Sequence, residues 1–328
     1  MSGHSLRRRV GCMLMALTLL CVCSACGKNS APEVTQDATG LEGKTVPMES
    51  PTELEVPDDR PALGEIVKGA PGSLPDGLQP LPAVRYSVTD PENTRGLSTL
   101  KVSHSHGPAS GGQPDHTVVA FQKTFERFGA LTLDQKSEGK VLYLTFDCGY
   151  EYDNLSGRIL DTLKEKGVPA AFFCTLDHIT SQPDLIARMI REGHIVGNHS
   201  KTHPSFAGIT RTQMKDEIEA TENTLRRDFG YCAKFFRFPA GEYNESALDL
   251  VQSLGYRSVF WSVAYNDWDV NAQQGKDVAL KTVTDRLHDG AVILLHAVSR
   301  DNAEALGEII DTARAMGYEF RALSDYPG

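Results

Sequence analysis

Val141-Leu142-Tyr143-Leu144-Thr145-Phe146 is an apolar, β-prone run, and Leu155 to Lys166 follows it with Ile159, Leu160 and Leu163 on one helical face. Gly167 closes that helix, and Pro169 stands just before a second apolar run, Ala170 to Cys174. The unit then repeats. Helices are predicted over Pro183–Glu192, Thr212–Phe229, Glu245–Leu254, Asp277–Leu287 and Asn302–Met316. Strands are predicted over His194–Asn198, Phe235–Phe238, Ser258–Val263, Ala291–Leu295 and Tyr318–Leu323. Alternation at this spacing implies parallel strands joined by helical crossovers, an α/β fold. Seven or so units favour a closed or partly closed barrel over an open sheet, with the site at the carboxyl ends of the strands. No glycine-rich phosphate loop follows the first strand, which argues against a nucleotide-binding fold.

Upstream of this repeat the chain changes character. Val118 to Phe128 predicts a short helix packed on the main domain, inside an extension spanning 93–139. The segment 93–139 also holds His104-Ser105-His106 among Gly and Ser; solvated loop histidines are the expectation there, with a metal role as the alternative. From Gly27 to Pro91 the chain carries ten of its seventeen prolines, too little apolar surface to offset its conformational entropy. Residues 26–92 therefore read as a disordered, Pro-rich tether. Residues 1–25 read as an export signal: Arg7-Arg8-Arg9, then the apolar stretch Val10 to Cys23, too short for a stable membrane span, then small residues. Cys23-Ser24-Ala25-Cys26 looks like a bacterial lipoprotein cleavage box with Cys26 as the lipidated residue. Cys23 stands where Leu, Val or Ile is usual, so plain secretion and an uncleaved anchor are the alternatives. The expectation is a monomer, lipid-anchored to the outer face of the cell membrane.

The 328 residues carry a net charge of −10, and the signal's only charged side chains are three arginines, so the exported part is more acidic still. That argues against a nucleic-acid partner. Four of the seven cysteines (Cys12, Cys21, Cys23, Cys26) lie in or beside the signal, leaving Cys148, Cys174 and Cys232. An odd, sparse set is not a disulfide framework. Cys174 and Cys232 read as buried core thiols.

Unusual polar residues fall at the ends of the predicted strands. The first ends in Thr145-Phe146-Asp147-Cys148-Gly149-Tyr150 and the third in Asn198-His199-Ser200-Lys201-Thr202-His203-Pro204. The fourth runs into Arg237-Phe238-Pro239-Ala240-Gly241-Glu242, the fifth into Ala264-Tyr265-Asn266-Asp267-Trp268 and the sixth into Leu294-Leu295-His296. On one turn of helix, histidines at i and i+4 share a face and hold one metal ion, zinc or a first-row neighbour. Singly each has a bland reading: Asp147 as a cap, Arg237 as a surface charge, His296 as a core histidine. Five at one end of one barrel supply the parts of a metal-dependent hydrolase. His194 reads as a structural histidine, and Glu242 as a loop carboxylate at the same strand end.

These segments, in this order from Lys140 to Leu323, resemble the polysaccharide deacetylases, the NodB-homology family also called carbohydrate esterase family four. The resemblance implies a distorted (β/α) barrel of about seven strands over 140–323, removing acetyl groups from chitin, peptidoglycan or xylan. It implies Asp147 as catalytic base, Arg237 as the residue that orients it, His296 as general acid and Asp267 as the group tuning that acid. His199 and His203 match metal ligands of a divalent ion, Zn²⁺ first, with Co²⁺ and Mn²⁺ as alternatives. Ala240 matches a backbone oxyanion donor, Trp268 a wall of the acetyl pocket and Leu294 a further pocket residue. Ala264 replaces the first aspartate of the family's Asp-x-x-Asp-Trp motif.

Cys148 stands where the family has a second, metal-binding aspartate. Two readings are open: a thiolate ligand on the same ion, or a neutral neighbour that leaves the two histidines to hold it. A subset that forms muramic δ-lactam in spore cortex also lacks this aspartate. The chain resembles it in Asp147-Cys148-Gly149-Tyr150-Glu151, Trp261-Ser262-Val263-Ala264 and Leu295 to Leu306. The implied substrate is N-acetylmuramic acid in peptidoglycan, after removal of its peptide. The alternatives are deacetylation of N-acetylglucosamine or of an O-acetyl ester, and an inactive, membrane-tethered glycan-binding protein.

Overall fold

A computed structural model describes residues 80–328. The signal over 1–25, the lipidation at Cys26 and most of the expected tether lie outside the described residues. The elements in chain order are β1 (Val102–Ser103), α1 (His116–Phe125), β2 (Val141–Cys148), α2 (Leu155–Lys166), β3 (Ala171–Cys174), α3 (Leu176–Ser181), α4 (Pro183–Arg191), β4 (Ile195–Asn198) and α5 (Arg211–Phe229). They continue with β5 (Phe235–Phe236), β6 (Glu242–Tyr243), α6 (Glu245–Ser253), β7 (Arg257–Ser258), α7 (Lys276–Thr284), β8 (Ala291–His296), α8 (Arg300–Ala315) and β9 (Glu319–Phe320). The main sheet has the order β7-β5-β4-β3-β2-β8, all parallel, with β9 pairing the start of β2 below β3. It is a curled, partly closed (β/α) barrel of seven strands, as the alternation implies.

β2 is central and buried along its whole length, which explains its unbroken apolar reading. Its side chains still alternate. Leu142, Leu144, Phe146 and Cys148 enter the large core shared with the helices. Val141 and Tyr143 join a smaller cluster on the other face, with Phe173, Val259 and Val292. Above that cluster, Thr145 and Asp147 continue the same inner face towards the carboxyl ends.

The stretch expected as a strand over Ser258–Val263 is ladder-paired only at its start. Beyond Ser258 it makes single bridges, Val259 to Leu131 and Val263 to Ile293. The reason is chemical. Arg237 donates to the carbonyls of Val259 (3.0 Å) and Phe260 (3.2 Å). His104 and Thr132 take the carbonyl of Trp261 at 2.8 and 2.7 Å. Side chains thus satisfy the polar backbone where a neighbouring strand is missing.

The tether expected to reach residue 92 is already docked at residue 81. Leu81 donates to the carbonyl of Arg226, Val84 and Asn223 exchange two hydrogen bonds, and the Tyr86 amide reaches Glu219, all along α5. The extension over 93–139 is equally integrated: Phe125 of α1 stacks on Phe260 at 4.5 Å, and both are fully buried.

Candidate active site

A cavity of about 880 Å³ opens at the carboxyl ends of the strands. Its wall includes Asp147, His199, His203, Ala240, Trp268, Leu294 and His296, so seven of the residues singled out in the sequence converge there. Arg237 and Asp267 stand directly behind it.

Asp147 and His296 are register partners on the adjacent strands β2 and β8. Asp147 Oδ1 accepts from Arg237 Nη1 at 2.8 Å, and Oδ2 lies 3.6 Å from His199 Nε2. Burial alone would raise the Asp147 pKa, but the charge and hydrogen bond of Arg237, with the charge of His296, outweigh it and hold the carboxyl below its ordinary range. Arg237 is itself completely buried. A buried guanidinium persists only when paired and hydrogen-bonded. Here it has Asp147, two carbonyls and the face of Phe173, 4.1 Å from its ring centre. Phe173 in turn requires Gly197 beside it, because a Cβ at Gly197 would come within 2.5 Å of the ring.

Across the cavity mouth, His296 Nδ1–H donates to Asp267 Oδ1 at 2.7 Å, and its backbone amide donates to Oδ2 at 2.8 Å. Burial disfavours the charged ring, but the hydrogen bond and charge of Asp267 prevail and raise the His296 pKa. Asn302 holds Asp267 in place, and Tyr265 donates to Asn302 at 2.6 Å. Sequence reading missed this support; Asn302 was visible only as part of a helix start.

The histidine pair does not sit on a helical turn, as the spacing suggested. Residues 199–203 form a loop in which Ser200 (φ 70°) and His203 (φ 58°) take left-handed backbone. Such angles are costly for non-glycine residues and persist only where the surroundings impose them. Asn198 imposes one through Ser200 N (2.9 Å), and Ser200 Oγ caps His203 N (3.0 Å). Glu217 of α5 accepts from both the amide and the hydroxyl of Thr202. The turn brings the two rings to 4.8 Å, edge to face. His199 Nδ1 lies 2.8 Å from the carbonyl of Arg237, so Nδ1 carries the proton and Nε2 presents its lone pair towards Asp147. Burial keeps His199 neutral, with its pKa pulled to about 4, and lowers His203 as well. Two neutral imidazoles beside a carboxylate fit a divalent cation.

Cys148 does not join them. It lies on the opposite face of β2 from Asp147, fully buried in the helix-side core against Cys174. Adjacent residues of one strand point to opposite faces, so the thiol cannot share the cavity with Asp147. Cys174 and Cys232 are buried, as expected of core thiols. His104 is not a solvated loop residue: it is buried, bonded to Trp261 and packed between Phe121 and Phe260. His194 is buried and accepts from the Ala170 amide. Glu242 pairs with Lys101 away from the cavity. Ala240 lines the cavity in left-handed backbone, φ 52°. Trp268 and Tyr150, 60% and 47% exposed, stand on its rim, as aromatic residues do on recognition surfaces.

Known proteins share this architecture. A family model described as polysaccharide deacetylase matches residues 134–259. The peptidoglycan-N-acetylmuramic acid deacetylase PdaA of Bacillus subtilis is 39% identical over 227 residues, covering 69% of this chain and 83% of that protein. A peptidoglycan-N-acetylglucosamine deacetylase of Bacillus cereus is 33% identical over 188 residues, 55% of this chain and 66% of its own. The solved structure of Bacillus subtilis PdaA, a family 4 carbohydrate esterase, superposes with a TM-score of 0.66 at 36% identity, covering 70% of this chain and 98% of that one. A likeness of this extent, over both sequence and fold, establishes membership: the chain belongs to the polysaccharide deacetylases and is a hydrolase of carbon–nitrogen bonds other than peptide bonds.

Proposed function

We propose that the chain removes the N-acetyl group of N-acetylmuramic acid in peptidoglycan, on sugars whose lactyl carboxylate is free of peptide. The observation that supports deacetylation is the placement of Asp147–Arg237 and His296–Asp267 as facing pairs on neighbouring strands. One pair keeps a carboxylate ionised, and the other keeps an imidazole protonated. Asp147 takes the proton of the attacking water, and Arg237 keeps it ready to do so. His296 then delivers its proton to the sugar nitrogen as the carbon–nitrogen bond breaks, releasing acetate and the amine. The backbone at Ala240 faces the oxygen that becomes negative, and Trp268 and Leu294 enclose the acetyl methyl. His199 and His203 would hold a divalent cation, whose chemistry there is to polarise the amide carbonyl and acidify water. Export of the chain with a lipid anchor at Cys26 would place this site at the wall.

Two observations favour muramic acid over glucosamine. The named N-acetylmuramic acid deacetylase matches at higher identity over more of the chain than the N-acetylglucosamine enzyme. In addition, Lys201 lines the cavity, exposed and without an ion-pair partner among the described residues. The lactyl group, on the carbon next to the acetamide, is the anionic feature that separates the two sugars, and Lys201 offers it an ammonium group. A charge-assisted hydrogen bond contributes about 1.5–3 kcal/mol, so Lys201→Glu should lower kcat/KM on peptide-free muramic glycan at least about tenfold. N-acetylglucosamine oligomers should show no such loss. Acetate release and the mass of each sugar from defined glycans measure both. Equal losses on both sugars would remove Lys201 from recognition. Acetyl loss from glucosamine alone would overturn the muramic reading, and binding without acetate release would overturn catalysis.

A further inference from the structure

Behind the floor of the cavity lies a second cluster that the deacetylation chemistry does not use. Cys148 and Cys174 are register partners at the ends of β2 and β3, and His178 stands in the first turn of α3. Cys148 Sγ, Cys174 Sγ and a ring nitrogen of His178 all lie within 4.8 Å of one another, and all three side chains are fully buried. Neither Nδ1 nor Nε2 of His178 has a hydrogen-bond partner. A completely buried imidazole with both nitrogens unpaired is rare, because native proteins satisfy such groups or use them.

We infer that Cys148, Cys174 and His178 form a second metal site, taking a zinc ion separate from the cation of the His199–His203 loop. Two thiolates and an imidazole are a zinc donor set, and sulfur ligands select zinc over the hard cations that prefer oxygen. The charge balance suits the place. Zn²⁺ with two thiolates and a neutral imidazole is neutral overall, which an apolar core tolerates where an unpaired charge would not be. Burial keeps the His178 ring neutral, its pKa pulled to about 4, which is the ligating form. Without an ion, the Cys174 contact and burial push the Cys148 thiol well above its ordinary pKa; a bound cation reverses that and deprotonates it outright. No fourth side chain joins the three among the described residues, so the protein supplies three ligands. The ion would tie β2, β3 and α3 together beneath Asp147, Gly149, Thr175 and Asp177, which face the cavity. It would brace the floor without touching substrate.

Cobalt substitution of the full-length protein tests this independently of activity. An intense thiolate-to-cobalt charge-transfer band in the near ultraviolet is expected for wild type. It should vanish in Cys174→Ser and persist in His199→Ala and in Cys232→Ser, whose thiol is held by Arg226. No band in wild type, or a band that survives Cys174→Ser, overturns the site. A second measurement needs no variant. Alkylation of Cys148 and Cys174 requires local opening, so free zinc at a hundred times its Kd should slow it about a hundredfold, with Cys232 unaffected. Equal rates with zinc and with chelator, or a Cys148–Cys174 disulfide in the peptide map, overturn the proposal.

Discussion

Asp147 and Cys148 are neighbours in sequence and opposites in surroundings. Asp147 faces the cavity with a partner for each oxygen: Arg237 on one side, His199 on the other. Cys148 faces the helices, among apolar residues, with Cys174 beside it and an unpartnered His178 close by. One strand thus presents two kinds of chemistry on its two faces. On the inner face charges are balanced by protein groups already in place. On the outer face the balance is incomplete until something binds. The family's second aspartate is replaced here at a position whose side chain lies on the core side, beside Cys174 and His178 and away from the His199–His203 loop.

The largest effect expected from breaking this contrast is kinetic. Asp147→Asn keeps the shape and removes the proton acceptor, and loss of a general base costs about 10²–10⁴-fold in rate. Acetate release from an N-acetylated glycan in single-turnover conditions measures it. A variant with more than a tenth of wild-type activity would exclude Asp147 as the base.

The next effect is on stability. Cys148→Asp restores the family's sequence pattern, yet the structure expects harm from it. In the metal-free protein the new carboxylate would point into the helix-side core, where an uncompensated buried charge costs about 3–5 kcal/mol. Urea unfolding should show that loss with no gain in activity. A variant as stable as wild type and more active would show that position 148 reaches the His199–His203 loop after all.

Much of this is legible in the sequence. The helix over 155–166 was read to the residue, because an apolar stripe ends at Gly167, which takes the left-handed cap at φ 58°. The strand-end rule placed Asp147, His199, His203 and His296 together. Other features were hidden for identifiable reasons. Spacing of i and i+4 says nothing about positive φ at Ser200 and His203, so the same spacing fits a loop as well as a turn of helix. Ser258–Val263 looks like a strand because its side chains are apolar, but its carbonyl partners are Arg237, His104 and Thr132, which are remote in sequence. The face of Cys148 was within reach: extending the first strand two residues past Phe146 puts 147 and 148 on opposite sides. Asn302 and Lys201 gave no local signal, since their partners are set by tertiary contact or by substrate.

The smallest effect concerns the second member of the inner face, His296. Its pKa is raised by Asp267 against the opposing pull of burial. A proton donor with a raised pKa is loaded at low pH and empties as pH rises through that value, so it sets the alkaline limb of kcat/KM. In wild type this limb should lie above the ordinary histidine value of 6.5, while Asp147, lowered by Arg237, keeps the acid limb below the usual carboxylate range. Asp267→Asn removes the negative charge and retains a hydrogen-bonding amide. The alkaline limb should then move to lower pH, because the group that raises the His296 pKa has lost its charge. The acid limb, held down chiefly by Arg237, should move less. Because Asp147 and His296 face one cavity, each limb belongs to the coupled pair, and the separation between limbs is the quantity to compare across variants. A profile for Asp267→Asn that superimposes on wild type would detach Asp267 from the acid, and would end the reading of Asp267 as the group that holds the His296 proton.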